Sequence, residues 1–169
     1  MIGFGHIGRA VAERASTFGL ELRVFDPYID DSTLAGTGVT RIEDLDELLA
    51  SSDIVTIHAP LTSGTKGLIG AETIDKMKDG AVLLNTSRGP IVDTSSMAAA
   101  LGRGKLSGAG LDVFDEEPPD TATLQPLETL VVTPHAAFYS DEAIAESQTK
   151  AATSIVTVLS GGEPDYRVV

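Results

Sequence analysis

The glycines at the start of the chain have the spacing of a phosphate-binding turn. After the end of a predicted buried strand, Gly3, Gly5 and Gly8 form a G-x-G-x-x-G pattern. In such a turn the first glycine allows a sharp bend, the second lets the backbone approach a pyrophosphate, and the third lets helix and strand pack closely. The amides of His6 and Ile7 would then lie at a helix N-terminus, where unpaired N–H groups favour an anion. The pattern therefore predicts a pyrophosphate site.

Asp26 follows the predicted second strand, residues 21–25, and stands 18 residues after Gly8. An acidic residue near this place accepts hydrogen bonds from the adenosine ribose of a bound dinucleotide. Alternatively, Asp26 opens the turn Asp-Pro-Tyr, as aspartate before proline often does. A single glycine fingerprint is weak evidence, since the chain has 17 glycines in 169 residues. The whole series of strand, turn, helix, strand and acid favours dinucleotide binding. NAD is expected rather than NADP, because no Lys or Arg lies between Asp26 and Thr40 to neutralise a 2′-phosphate.

A helix of about three turns is expected after the glycine turn. Its inner face is predicted to carry apolar residues at helical spacing, namely Ile7, Ala10, Val11, Ala15 and Phe18. Gly19 stands where a helix commonly ends.

The rest of the chain alternates strand-like and helix-like segments. The predicted strands are residues 39–40, 54–57, 81–85, 108–113 and 130–132. The predicted helices are an acidic one with Ile42, Leu45, Leu48 and Leu49 on its inner face, one over residues 71–78, and one capped by Asp93 that ends near Gly102. A last, long helix is predicted to start at Ser140, to bury Ile144, Ala151, Ile155 and Val158, and to stop at Gly161. Repeated strand and helix units imply right-handed crossovers, and hence an α/β fold with a doubly wound parallel sheet.

Polar residues follow the predicted strands at the points where the strands end. They are His58, Arg88, Asp112 and His135, in addition to the glycine turn and Asp26. In a doubly wound sheet, ligands bind outside the carboxyl ends of the strands. These side chains are therefore expected to face one crevice.

The composition excludes several kinds of function. The formal net charge of −13 argues against direct nucleic-acid binding, since phosphate contacts need clustered Lys and Arg. The absence of cysteine excludes disulfides, thiolate metal sites and a cysteine nucleophile, and no metal is predicted. No apolar run approaches the roughly 18 residues of a membrane span, and the N-terminus lacks the regions of a signal peptide. A soluble, cytoplasmic protein without a membrane partner is expected.

Six stretches of the chain resemble, in order, the NAD-binding domain of the D-isomer-specific 2-hydroxyacid dehydrogenases. They are G-F-G-H-I-G, F-D-P, H-A-P-L-T, N-T-S-R-G-P-I-V-D, L-D-V-F-D-E-E-P and T-P-H. That family includes phosphoglycerate, glycerate and formate dehydrogenases, glyoxylate/hydroxypyruvate reductases and the C-terminal binding protein corepressors. The likeness runs from Met1 to about Gly162, and it implies a Rossmann fold with NAD as cofactor. The segment from His135 to Ser140 looks more like the C-terminal binding protein branch than the common phosphoglycerate dehydrogenase pattern.

The resemblance implies catalytic roles for three residues. Arg88 matches the arginine that holds the substrate carboxylate and polarises its 2-oxo group, and a forked guanidinium suits both tasks. His135 matches the group that gives a proton to the carbonyl oxygen during reduction and accepts one during oxidation. An imidazole, with an ordinary pKa of about 6.5, suits that exchange. Glu117 matches the carboxylate that hydrogen-bonds the far nitrogen of the histidine and fixes its orientation.

Structural alternatives exist for the same three residues. Arg88 could be a surface arginine in a Gly-Pro loop, and His135 could be a buried histidine satisfied by backbone groups. Glu117 could belong to a merely solvated acidic run, residues 115–117, although the following Pro118 favours it over its neighbours.

The predicted cofactor contacts combine the residue patterns with the resemblance. The full set is Gly3, Gly5, His6, Ile7, Gly8, Asp26, His58, Ala59, Pro60, Thr62, Thr86, Ser87, Arg88, Asp112 and His135. His58 and Thr62 lie in a loop that resembles the family's cofactor-lining segment, where His58 is expected to be a structural or cofactor contact rather than a second base. Asp112 resembles the family acid near the nicotinamide carboxamide, and the alternative is a cap at the end of a strand.

The resemblance also implies a domain that this chain does not include. Family members carry a separate substrate domain, built mostly before the glycine fingerprint and completed after the last long helix. We expect residues 1–162 to form a single NAD-binding domain with a truncated first strand. Residues 163–169 are expected to be the start of a segment that returns to an absent substrate domain. The chain thus looks like a coenzyme domain cut from a larger protein, with half of an active-site cleft.

Three functions from different classes are compatible with these features. The first is an oxidoreductase, or its coenzyme domain, that acts with NAD on a small 2-hydroxy acid or 2-oxo acid. The second is an NAD(H)-sensing, dimerising module of the corepressor kind, and the third is an inactive truncated product. The presence of Arg88, Glu117 and His135 together favours the first. A homodimer through this domain is expected, since family members associate through their coenzyme domains.

Overall fold

Helices and strands alternate along the chain. The computed structural model describes residues 1–124 and 127–165. The helices are α1 (His6–Ser16), α2 (Asp31–Leu34), α3 (Leu45–Ser51), α4 (Ala71–Lys76), α5 (Thr94–Gly102), α6 (Thr121–Leu124) and α7 (Asp141–Leu159). The strands are β1 (Arg23–Val24), β2 (Thr40–Arg41), β3 (Ile54–Ile57), β4 (Ala81–Asn85), β5 (Leu106–Leu111) and β6 (Leu130–Val132). A short 3-10 turn covers Gly89–Ile91.

The strands pair in parallel. β1 pairs with β2, and β3, β4, β5 and β6 pair in that order. Ile2 joins the two groups, because it forms parallel bridges to Phe25 on one side and to Ile57 on the other. The resulting order is β2, β1, residue 2, β3, β4, β5, β6, which is that of a doubly wound dinucleotide-binding sheet. The predicted fold class is confirmed, and the first strand is present as this single bridged residue.

Apolar residues of the central strands form the main core with neighbouring helices. The buried members include Val55, Ile57, Leu83 and Leu111 of the strands, Leu48 and Leu49 of α3, Ile74 of α4 and Met97 of α5. Each side chain of this size stabilises the fold by about 1.5–3 kcal/mol when it is fully buried. The core therefore fixes the carboxyl ends of the strands, from which the site loops depart.

Local signals predicted most element positions correctly. The bounds of β3, β4 and β6 match the predicted ranges, whereas β2 and β5 are displaced from theirs by one or two residues. Asp93 and Ser140 are N-caps as predicted, since Asp93 Oδ1 accepts from Ser96 N at 2.6 Å and Ser140 Oγ accepts from Ala143 N at 3.1 Å. Ile54, the first residue of β3, is 46% exposed.

The predicted inner face of α1 is partly wrong. Ile7 and Phe18 are 65% and 82% exposed, and the buried residues of the helix are Gly8 and Ala12. The helix also ends at Ser16, before the predicted stop at Gly19. The physical reason is the close approach of Gly8 to the glycine turn, which directs the face centred on Gly8 and Ala12 inward and turns Ile7, one residue or about 100° away, outward.

The chain divides into two compact units, residues 1–135 and 136–169. The second unit contains α7, and none of the helix residues is buried. The prediction that α7 buries Ile144, Ala151, Ile155 and Val158 is wrong. Ile144 is half-buried, Ala151 is exposed, and Ile155 and Val158 are 60% and 54% exposed. Helical spacing identifies an apolar stripe but not a neighbour that covers it. Residues 166–169 of the predicted return segment lie outside the described residues, and the predicted domain boundary at residue 162 stays a prediction.

Within the described ranges, no helix combines the length and the apolar character needed to cross a membrane.

Candidate active site

Each glycine of the first turn meets a different structural requirement. Gly3 has a φ of +89°, and a Cβ there would lie 2.7 Å from Ala59 N. A Cβ on Gly8 would lie 2.6 Å from the carbonyl oxygen of Gly3. A Cβ on Gly5, by contrast, would meet no heavy atom of the described residues within 4 Å. The fold therefore requires Gly3 and Gly8, whereas Gly5 leaves an open approach to the backbone.

The first turn of α1 presents backbone amides next to Gly5. The first hydrogen bond of the helix runs from Arg9 N to Gly5 O at 3.0 Å, so the amides of His6, Ile7 and Gly8 have no intrahelical acceptor. Gly5 is the N-cap and has no side chain to accept from them, and the first turn has no acidic residue. This arrangement can bind an anion.

The carboxylate of Asp26 holds both the glycine turn and the turn after β1. Its Oδ2 accepts a hydrogen bond from Phe4 N at 2.8 Å, and its Oδ1 accepts one from Tyr28 N at 3.0 Å. The second contact is the Asp-Pro-Tyr turn that the sequence offered as an alternative, and the first was not predicted. A carboxylate has about four lone-pair sites, so these bonds leave capacity for ribose hydroxyls. Asp26 therefore fits both interpretations.

His58 follows β3 and lies beside the glycine turn. Its backbone N donates to Ile2 O at 2.7 Å, and its carbonyl oxygen would lie 2.8 Å from a Cβ on Gly3. The ring is half-buried, with Nε2 3.1 Å from Thr56 Oγ1, while Nδ1 is buried with no hydrogen-bond partner in the described part of the chain. Burial lowers the pKa of His58 to about 4. The imidazole of His58 is therefore neutral near pH 7.

Ala59, Pro60 and Thr62 continue along the loop after His58. Ala59 is buried, whereas Pro60 and Thr62 are exposed. Thr65 closes the loop, because its hydroxyl donates to Pro60 O at 2.6 Å and accepts from Thr62 N at 2.8 Å. These bonds give the predicted cofactor loop a defined shape.

The loop after β4 carries Thr86, Ser87 and Arg88. Ser87 Oγ donates to Ile57 O at 2.8 Å, which ties the loop to the end of β3. Thr86 and Arg88 are exposed, and Arg88 Nη1 donates to Ser87 O at 2.6 Å. Asn85, the last residue of β4, accepts from Ser87 N and donates to Arg88 O. The backbone that carries Arg88 is therefore fixed to the sheet.

Asp112 connects the ends of three strands. Its N donates to Asn85 O at 3.0 Å, and its O accepts from His135 N at 2.9 Å. The residue is 3% exposed, and its Oδ1 accepts from Thr133 Oγ1 at 2.5 Å. His135 has a φ of +53°, in the left-handed region that non-glycine residues seldom adopt. Hydrogen bonds from His135 N to Asp112 O and to Thr133 O hold it in that conformation.

His135 and Glu117 form a hydrogen-bonded pair, with His135 Nδ1 2.8 Å from Glu117 Oε2. The other carboxylate oxygen, Oε1, accepts from Phe114 N at 3.0 Å. The hydrogen bond with His135, followed by that from Phe114 N, lowers the pKa of Glu117. The carboxylate is therefore ionised at neutral pH and can only accept, so His135 Nδ1 carries the proton. Nε2 is then the nitrogen of His135 that can give or take a proton.

Direct backbone packing joins the loop of Arg88 to the loop of Glu117. A Cβ on Gly89 would lie 2.0 Å from the carbonyl carbon of Phe114 and 2.1 Å from its oxygen. Only glycine permits this approach. Phe114 N also donates to the Glu117 side chain, and His135 N donates to Asp112 O, so the loops of all three predicted catalytic residues are connected.

Asn85 and Thr133 contribute to this arrangement and were missing from the predicted site. Asn85 is fully buried at the end of an otherwise apolar strand, where asparagine is disfavoured unless its side chain bonds nearby backbone. An asparagine at the end of an apolar strand was therefore a sequence signal that could have identified Asn85. Thr133 precedes Pro-His in the chain, and nothing local indicates its bond to Asp112.

The geometry of the glycine turn, the open side of Gly5 and the acceptor capacity of Asp26 fit a dinucleotide. Among residues 1–124 and 127–165, no group of three His, Asp or Glu side chains could hold a metal ion.

Comparison with known proteins identifies the family. The family model for the NAD-binding domain of D-isomer specific 2-hydroxyacid dehydrogenases matches residues 1–137. The chain is 39% identical to a D-3-phosphoglycerate dehydrogenase of Methanocaldococcus jannaschii, over 95% of this chain and 31% of that protein. It is 40% identical to a glycerate dehydrogenase of Methylorubrum extorquens, over 85% of this chain and 44% of that protein.

A solved structure agrees with these relatives. The crystal structure of D-lactate dehydrogenase with NAD+ from Lactobacillus jensenii superposes with a TM-score of 0.90 at 28% identity, covering 99% of this chain and 54% of that one. The chain thus spans about half or less of the proteins it matches. It belongs to the NAD-binding domain family of the D-isomer-specific 2-hydroxyacid dehydrogenases.

Proposed function

We propose that the protein containing this domain transfers a hydride between NAD(H) and a small D-2-hydroxy acid or 2-oxo acid. The observation that carries the proposal is the pair of His135 and Glu117 at 2.8 Å, in loops packed against the loop of Arg88. The dehydrogenase relatives favour this function over an NAD(H)-sensing corepressor-like module.

The residues around the glycine turn are proposed to hold NAD. The amides of His6, Ile7 and Gly8 would donate hydrogen bonds to the pyrophosphate, and the open side of Gly5 would allow its approach. Asp26 would accept hydrogen bonds from ribose hydroxyls. The loop with Ala59, Pro60 and Thr62, the residues Thr86 and Ser87, and buried Asp112 are proposed to line the rest of the site. Bound NAD supplies or accepts the hydride, and the protein contributes position and electrostatics.

The acid–base chemistry is proposed to reside on His135 Nε2. During reduction this nitrogen gives its proton to the carbonyl oxygen, and during oxidation it accepts the hydroxyl proton. Glu117 orients the ring through its hydrogen bond with Nδ1. His58 is a poor candidate for this task, because its lowered pKa leaves it without a proton to give near pH 7. Arg88 is proposed to bind the substrate carboxylate and to polarise the 2-oxo group.

Turnover is expected in a protein that joins this domain to a substrate domain, and not in the 169-residue chain. The side chains of His135 and Glu117 are 44% and 38% exposed, and ion pairs in open solvent are worth about 0–1 kcal/mol. Hydride transfer needs a closed cleft that holds the substrate about 3–3.5 Å from the nicotinamide and excludes water. The measurement is NADH absorbance with glyoxylate, hydroxypyruvate and phosphohydroxypyruvate, with NADPH as the comparison cofactor.

NADPH is expected to be the poorer cofactor. The carboxylate of Asp26 would repel a 2′-phosphate, and the next basic residue, Arg41, is already paired with Glu43 at 2.7 Å.

Turnover by the 169-residue chain equal to that of the longer protein would contradict the need for a second domain. An inactive longer protein with normal NADH binding would instead support the sensing module.

Gly5→Ala is expected to weaken NAD binding at least about tenfold while leaving the fold intact. A methyl group there occupies the approach to the backbone amides but meets no described protein atom within 4 Å. Replacing a glycine N-cap by alanine should cost within about 1 kcal/mol. Isothermal titration with NAD+ and urea unfolding measure the two quantities. Gly8→Ala is the comparison, since its Cβ would lie 2.6 Å from Gly3 O and should lower stability as well. Unchanged NAD affinity in Gly5→Ala would contradict the proposed pyrophosphate site.

We further propose that the domain forms a homodimer. The apolar side chains of α7 support this, since Ile155, Val156, Val158 and Leu159 are 54–82% exposed in the single chain. Light scattering at tens of micromolar, a range chosen for a moderate dissociation constant, should give twice the mass of the chain. A monomeric mass at that concentration would contradict the proposal.

A further inference from the structure

Asn85 occupies the point from which the Arg88 loop departs. It is the last residue of β4, and it pairs in register with Ile57 of β3 and Leu111 of β5. The residue is fully buried. Asn85 is also the single asparagine of the 169-residue sequence.

Both ends of the Asn85 side chain bond the backbone of the loop. Its Nδ2 donates to Arg88 O at 2.9 Å, and its Oδ1 accepts from Ser87 N at 3.0 Å. A carboxamide supplies a donor and an acceptor in one planar group, which a carboxylate, a hydroxyl of shorter reach or an aliphatic chain cannot reproduce. Since the residue is buried, losing either bond would leave a loop peptide group without that partner.

The same residue ties the loop to its neighbours in the sheet. Asn85 O accepts from Asp112 N at 3.0 Å, and Ser87 Oγ donates to Ile57 O at 2.8 Å. The backbone of Arg88 is thus fixed relative to β3 and β5, while Arg88 itself is exposed and its guanidinium donates to Ser87 O. Because the backbone of Arg88 is fixed, substrate binding has less conformational freedom to remove from this residue.

We infer that Asn85 is a positioning residue that holds the Arg88 backbone in the conformation needed to bind the carboxylate of the 2-oxo acid. The inference rests on the function proposed above. Asn85 does not contact the substrate and acts through Arg88, so its substitution should matter only while Arg88 is present.

A double-mutant cycle tests this in the full-length enzyme that contains the domain. Asn85→Asp keeps the size of the side chain and an acceptor for Ser87 N but loses the donor to Arg88 O. It should lower kcat/KM for the 2-oxo acid about 10- to 100-fold, with KM for NADH changed less than about threefold. In an Arg88→Ala background the same substitution should lower kcat/KM less than about threefold.

The outcomes separate the inference from the function on which it rests. An equal loss in both backgrounds would show that Asn85 has only a structural role and would overturn the inference. If Arg88→Ala itself left kcat/KM unchanged, the proposed role of Arg88 would fail instead. Asn85→Ala, taken through the same cycle, replaces the aspartate variant if that variant does not fold.

A second measurement uses the 169-residue chain and needs no activity. Labelling with 15N-asparagine marks one residue, so the spectrum should show one side-chain NH2 pair. Because Nδ2 is buried and bonded to Arg88 O, its protons should exchange with water at least about tenfold more slowly than those of a free amide. Exchange at the rate of a free amide would overturn the inference.

Discussion

Replacing His135 with asparagine should lower kcat for 2-oxo acid reduction by about 100- to 10,000-fold in the full-length enzyme. Asparagine keeps a polar side chain but cannot give a proton to the carbonyl oxygen or accept one from the alcohol. NADH binding should change little if the main loss is in the chemical step. Steady-state kinetics and NADH fluorescence titration measure the two effects separately.

Glu117→Gln provides a graded comparison for this prediction. Glutamine can still accept from His135 Nδ1, but a neutral amide oxygen is a weaker acceptor than a carboxylate and orients the ring less firmly, so a smaller loss of about 10- to 100-fold is expected. Glu116→Gln is the matched control, because Glu116 is a neighbouring exposed acid of the same run. Its kcat should be unchanged. An equal loss in both glutamine variants would contradict the assignment of Glu117.

The pair of Glu117 and His135 should also be sensitive to acid. The pKa of Glu117 is lowered in the folded chain, chiefly by its hydrogen bond with His135. A carboxylate with a depressed pKa stabilises the folded state above its unfolded pKa, and this contribution is lost as the pH falls through its folded pKa. The ring orientation is therefore expected to persist at neutral pH and to be lost on acidification.

Gly89→Ala should destabilise the fold by about 3 kcal/mol, the upper end of the usual overpacking range. The added Cβ would lie 2.0 Å and 2.1 Å from the carbonyl carbon and oxygen of Phe114, and 2.6 Å from Asp115 N. These are backbone atoms, which cannot move aside as the end of a flexible side chain can. Relief of the overlap requires the loop of Arg88 to separate from the loop of Glu117, so activity should fall together with stability.

Gly102→Ala is the matched control for that substitution. Gly102 ends α5, and a Cβ there would meet no heavy atom of the described chain within 4 Å. Alanine also has the higher helix propensity, so the free energy of unfolding should stay within about 1 kcal/mol of the parent or rise. Urea unfolding of both variants gives the comparison. Equal midpoints for Gly89→Ala and the parent would show that the two loops do not need their close contact.

The sequence alone was sufficient for features that depend on neighbours along the chain. The strands at 54–57, 81–85 and 130–132 were predicted because short apolar runs bounded by turn residues are typical of strands. The caps at Asp93 and Ser140 were predicted because a cap bonds an amide only three residues away. The glycine fingerprint is local in the same sense, since its bend and its helix start lie within eight residues.

The sequence alone did not determine which face of a helix points inward. Helical spacing placed Ile7 and Phe18 on the buried face of the first predicted helix, and Ile155 and Val158 on that of α7, yet all four are more than half exposed. A period defines a stripe of residues, but the neighbour that covers the stripe is distant in sequence. In α1 the approach of Gly8 to Gly3 decided the orientation.

For the candidate site, the sequence determined which residues follow the strand ends, and the tertiary structure decided how they meet. Parallel strands bring their carboxyl ends to one edge, which is why His58, Arg88, Asp112 and His135 could be expected there together. The 2.8 Å contact of Glu117 with His135, the buried carboxamide of Asn85 and the left-handed backbone of His135 depend on strand order and on backbone packing such as that at Gly89. The contacts of Glu117 with His135 and of Gly89 with Phe114 join residues far apart in the chain, and the burial of Asn85 depends on neighbouring strands. Only the folded sheet therefore specifies these features.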